Sequence, residues 1–157
     1  MHTRWADLLV ALCGSVFAVP AQAQLRETKA LTLEGAKNIV AAAEAEAKKN
    51  NWNMAFAIVD AAGGLILFHK GDGAGPSNVE FALAKARTAA RFRRPTKALD
   101  SLVSSGRIGF LAADALPIEG GVPIIVDGLV IGAVGVSGGT SAQDAQTATV
   151  GIGALVK

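Results

Sequence analysis

Two apolar segments joined by an Asp-Gly pair constrain this chain more than any other feature. Val122–Val126 reads V-P-I-I-V and Leu129–Val136 reads L-V-I-G-A-V-G-V, with Asp127-Gly128 between them. Asp-Gly favours the tight two-residue turn that returns a strand antiparallel to itself. Strands this apolar along their whole length suit the centre of a sheet covered on both faces. Gly132 and Gly135 leave room for a helix or a ligand to sit close to the second strand. The hairpin is entered through Glu119-Gly120-Gly121 and left through Ser137-Gly138-Gly139-Thr140. Ser141 is read as the cap of a final helix from Ala142 to about Leu155, with Asp144 as its acidic capping partner.

The rest of the chain repeats this plan. Thr32 caps an amphipathic helix that Asn50-Asn51 stops. Asn53–Asp60 and Leu65–Lys70 read as a second hairpin around Ala61–Gly64. The loop Gly71–Pro76 has three glycines in six residues. Ser77-Asn78-Val79-Glu80 has the form of a capping box, opening a helix to about Phe92. Arg93-Arg94-Pro95 ends it, because the residue before proline is pushed out of helical geometry. Thr96 caps a shorter helix to about Ser104, and Ile108–Leu116 reads as loop with a turn of helix. The order is therefore α-β-β-α-α-β-β-α. Hairpins rather than β-α-β units imply an antiparallel sheet with helices packed on it.

Met1–Ala23 has the form of a secretory signal: a basic start, an apolar run from Leu8 to Val19, and Ala21-Gln22-Ala23 as a cleavage site. The run is too short to span a membrane, which takes about 20 residues. Export without disulfides fits a bacterial periplasm, since the only cysteine, Cys13, lies inside the signal. Residues 24–30 read as a loose arm and 31–157 as one domain. The net charge of +2 gives no basis for nucleic-acid binding.

Three stretches carry a family resemblance: A-I-V-D-A-A-G-G-L-I-L-F at Ala57–Phe68, A-K-A-R-T-A-A-R-F-R-R-P-T at Ala84–Thr96, and E-G-G-V-P-I-I-V-D-G-L-V-I-G-A-V-G-V-S-G at Glu119–Gly138. From Leu31 to about Gly153 the chain resembles the GlcG/HbpS family of haem-binding-type proteins, which includes the C-terminal domain of PduO-type proteins. The resemblance implies an α/β (α+β) fold, profilin-like in outline, with an antiparallel sheet of about five strands flanked by helices. It also implies a homo-oligomer. Secreted members are associated with haem binding, in some cases beside a sensor kinase in redox sensing. Others sit beside glycolate, propanediol or aromatic catabolism, so the family specifies fold better than function.

Candidate chemistry is sparse. His69 is the sole histidine outside the signal, and neutral imidazole is a good axial ligand for haem iron. The alternative is a solvent-facing residue at a strand end. Lys85, Thr88 and Arg91 follow one another along one helix, where a cation beside an apolar pocket suits a propionate or a small organic acid. The helix dipole explains Arg91 near the C-terminus but not Lys85 in mid-helix. Gly138 and Gly139 precede a helix N-terminus whose amides could take a carboxylate, or could simply be capped. Glu119 could edge a pocket or close a turn. No nucleophile–base pair is readable, so no catalytic residue is assigned.

The expectation is an exported haem-binding or redox-sensing protein. Its pocket would be lined by the second strand, the Lys85 helix and the glycine-rich loops. The alternatives are an enzyme or accessory factor of small-acid or aldehyde catabolism, and an oligomeric interaction protein.

Overall fold

A computed structural model describes residues 28–155. The signal segment and most of the arm lie outside the described residues. In chain order the elements are α1 (Leu33–Lys49), β1 (Ala55–Asp60), β2 (Leu65–Lys70), α2 (Ser77–Phe92), α3 (Thr96–Ser104), a 3-10 helix (Ile108–Ala113), β3 (Gly121–Val126), β4 (Leu129–Ser137) and α4 (Ser141–Gly153). The order expected from the sequence holds.

The sheet has four antiparallel strands in the order β2-β1-β4-β3, rather than about five. The stretch from Ile108 adds no strand, because it coils into the 3-10 helix and closes at Asp114 in the left-handed region. Asp127 and Gly128 both have positive φ, 49° and 75°, as the tight turn between β3 and β4 requires.

Alternation along β1 divides the core into two layers. Phe56 and Ile58 join Val134, Val136 and Ile124 under α1 and α4, where Ile39, Ala43 and Ala148 meet them. Ala55, Ala57, Val59 and Ala133 face the other way, against Ala82, Ala86, Ala89 and Ala90 of α2. The second interface is almost all alanine, so helix and sheet backbones lie unusually close. An alanine added at Gly135 would place its Cβ 2.0 Å from the Ala82 carbonyl oxygen.

Three caps differ from expectation. Pro76, not Ser77, precedes α2, and no side chain caps that helix. Thr96 lies inside α3, fully buried, where its hydroxyl accepts from the Gly121 amide at 2.9 Å and ties α3 to the start of β3. Thr140, not Ser141, caps α4 and forms a capping box with Gln143. That shift of one residue releases Asp144 from the cap and turns it inward.

Candidate functional site

One end of the sheet gathers the candidate residues. Antiparallel pairing puts the start of β1, the end of β2, the end of β4 and the start of β3 at the same end, with Ala55 opposite both Lys70 and Ser137. Two separate pockets open there, one on each face of the sheet.

His69 belongs to the α1 side. It pairs with Phe56 across the β1–β2 ladder, and the two rings sit 5.9 Å apart. Its Nε2 lies 3.3 Å from Glu44 Oε1 on α1. The main partner of Glu44 is Lys48, one helical turn on, at 2.8 Å. The Lys48 hydrogen bond holds the Glu44 carboxyl below its ordinary range, with His69 adding to the effect and partial burial opposing it. A cavity of about 330 Å³ lies beside this group, walled by Trp52, Met54 and Phe56 and edged by Lys48, Lys70 and the Gly71–Gly73 loop.

Lys85 belongs to the α2 side. Its side chain and that of Asp144 are each only 3% exposed. Lys85 Nζ donates to Asp144 Oδ2 at 2.7 Å and to the Val136 carbonyl at 3.1 Å. Asp144 Oδ1 accepts the Gly139 amide at 2.9 Å. Burial raises the Asp144 pKa, against the hydrogen bonds from Lys85 and the Gly139 amide. Above this pair opens a shallow cavity of about 250 Å³ lined by Ser77, Asn78, Phe81, Ser137, Gly138 and Ser141 among others. Gly138 has φ 144° and packs so tightly on Asn53 that a Cβ there would meet the Asn53 carbonyl at 2.2 Å. The Asn53-Met54 backbone is thus the partition between the two pockets.

A single pocket joining β2 to α2 does not form, because the sheet stands between His69 and Lys85. The Gly71–Gly73 loop goes to the first site and the Ser137–Gly139 loop to the second. The other candidates disperse. Thr88 is buried, and its hydroxyl accepts the Leu116 amide at 2.9 Å, pinning the chain before β3 to α2. Arg91 points outward to Asp114 at 3.5 Å. Six residues at 3.6 per turn put Lys85 and Arg91 on different faces of α2. Glu119 pairs with Lys97 of α3 at 3.0 Å. Sequence reasoning missed Glu44 as the neighbour of His69, and Asp144 as the counter-ion of Lys85. For the second pair the available signals were an acid in the first turn of α4 and a lysine among alanines; Glu44, near the end of α1, gave none.

A family model described as "Haem degrading protein HbpS-like" matches residues 31–153. The chain belongs to this HbpS-like family. Protein GlcG of Escherichia coli is 45% identical over 108 residues, covering 68% of this chain and 81% of GlcG. Among solved structures, a variant of HbpS from Streptomyces reticuli aligns with a TM-score of 0.77 and 30% identity, covering 94% of this chain and 97% of that one. A haem complex of PduOC aligns at TM-score 0.74 and 28% identity, covering 80% and 95%. A solved structure similar to this chain is therefore a haem complex. Among the described residues no helix is long and apolar enough to cross a membrane.

Proposed function

We propose that this chain is an exported haem-binding protein, acting as a haem or redox-sensing accessory, with haem held at the His69 pocket. The observation that carries the reading is the composition of that pocket. It brings together His69, the one imidazole among the described residues, the apolar and aromatic walls of Met54, Phe56 and Trp52, and two cations, Lys48 and Lys70. Imidazole would bind iron, apolar walls would cover the porphyrin, and ammonium groups suit its propionates. Haem bound there would supply iron redox chemistry, while this chain's own residues bind, orient and shield it. Glu44 keeps Lys48 as a strong partner when it gives up its longer contact to Nε2, so freeing that nitrogen does not strand a carboxylate. Met54 is fully buried and serves as wall rather than ligand.

A cavity of 330 Å³ lies at the small end of ligand pockets, about 300–1,000 Å³. It would enclose one edge of a porphyrin and leave the remainder to a second surface. A second copy of the chain fits that need. Exposed Ile125 of edge strand β3, with Ile108 and Leu111 on the 3-10 helix, supports self-association at the sheet edge opposite β2.

Haemin titrated into the purified protein is expected to give a saturable Soret shift, and His69→Ala to abolish it with the fold retained. Saturable binding that His69→Ala leaves unchanged would sink the ligand assignment. Absence of any Soret change with the wild-type protein would sink haem binding itself. Export is tested by the N-terminal residue of protein recovered from the periplasm, expected just after Ala23.

A further inference from the structure

The Lys85–Asp144 pocket has no part in the haem reading and shares no lining residue with the His69 cavity. An ammonium has three hydrogens to donate. Lys85 uses two, to Asp144 and the Val136 carbonyl, and among the described residues the third has no acceptor. The nitrogen is buried at the floor of an open cavity, so the spare hydrogen calls for an acceptor that enters from the pocket. Asp144 already cancels the lysine charge and already takes the Gly139 amide at the start of α4. The site is electrically neutral, which disfavours an anion and favours a carbonyl oxygen. Around the mouth stand the hydroxyls of Ser77, Ser137 and Ser141 and the amide of Asn78, groups that recognise hydroxyls.

We propose that this pocket binds a small hydroxy-aldehyde and that Lys85 condenses with it to an imine. The proton balance is contained within the pair. Asp144 takes a proton from the Lys85 ammonium, and the free amine adds to the carbonyl carbon, giving a carbinolamine. Asp144 then returns the proton to the departing hydroxyl. The carbonyl oxygen and two of the original ammonium hydrogens leave as water. Lys85 is left as a protonated imine facing the Asp144 carboxylate, with the total charge unchanged and nothing oxidised or reduced. Burial suits Asp144 to the task, since it makes this carboxylate a stronger base than an exposed one.

Glyceraldehyde at limiting concentration, trapped with borohydride and located by peptide mass mapping, tests the assignment. Lys85 is expected to carry the adduct ahead of the exposed Lys37, Lys48 and Lys97. Asp144→Asn keeps the side-chain size but cannot take the proton, and should slow labelling of Lys85 by about a hundredfold. Should that variant fold poorly, Asn78→Leu narrows the mouth without touching the ion pair and is expected to reduce labelling as well. In urea the preference for Lys85 should vanish. Adducts on the exposed lysines with Lys85 spared would overturn the proposal, as would a preference that survives unfolding.

Discussion

Lys85→Met is expected to destabilise the protein by about 3–5 kcal/mol, the usual cost of stripping one partner from a buried ion pair. Native domains hold only about 5–15 kcal/mol in reserve, so the loss is a large share of the whole. The cause is not the missing attraction alone. Asp144 is left charged at 2% exposure with only the backbone amides of Gly138 and Gly139 to meet it. The deficit therefore depends on pH, and its sign is fixed. Burial raises the Asp144 pKa above its ordinary 3.8, and losing Lys85 removes a hydrogen bond that opposed the rise. Between the unfolded and folded values the native state of the variant binds more protons than the unfolded state. Stability of Lys85→Met must then fall as pH rises through that window, and recover as acid neutralises Asp144. Urea unfolding at pH 7 and pH 4.5 reads this directly. A deficit under 1 kcal/mol at pH 7, or one that grows in acid, would show that solvent reaches the pair. Lys85→Met combined with Asp144→Leu should cost less than the two single changes added, because no charge is then stranded.

How legible this pair was in the sequence is instructive. Turn and stop signals act through the local backbone, and the chain follows them. Asp127-Gly128 forms its tight turn, and Arg93 closes α2 in the left-handed region just before Pro95. The caps were less legible, because candidates compete over one or two positions. Thr140 and Ser141 carry the same chemistry, and only the extended backbone of Thr140 decides between them. That choice moved Asp144 from the cap into the interior. Lys85 stood out in mid-helix, where the dipole does not explain a cation, but its partner lies 59 positions on and on another helix. His69 lies near the end of β2, as strand periodicity predicts. Which face it shared, and that Glu44 waited there, depended on how α1 packs across the sheet. Local rules supplied the elements, and the non-local packing between them decided which candidates meet.

Gly135→Val is expected to be the most damaging single change in the sheet, with Gly135→Ala a graded version of it. A Cβ at this position would lie 2.0 Å from the Ala82 carbonyl oxygen and 2.5 Å from the Ala86 amide nitrogen. Both obstacles are helix backbone, so no rotamer change relieves them. The helix must lift, or β4 must bend between β1 and β3. Overpacking of a well-filled core costs about 1–3 kcal/mol and sometimes more, and a backbone clash belongs at the upper end. The alanine layer makes the consequence wider than one contact. Ala82, Ala86, Ala89 and Ala90 have no side-chain length with which to refill a gap, so lifting α2 uncovers the whole interface with Ala55, Ala57 and Ala133. The same displacement carries Lys85 away from Val136 and Asp144, because α2 is the element that delivers it. Gly135→Ala should therefore lower the melting temperature and also open Lys85 to amine-modifying reagents too bulky to enter its pocket in the wild-type protein. Gly109→Ala is the matched control, since a Cβ there meets nothing within 4 Å. Equal melting temperatures for the two alanine variants would mean that α2 is not seated as closely as Gly135 requires. A stable Gly135→Ala in which bulky amine reagents newly reach Lys85 would locate the give in the helix rather than in the strand.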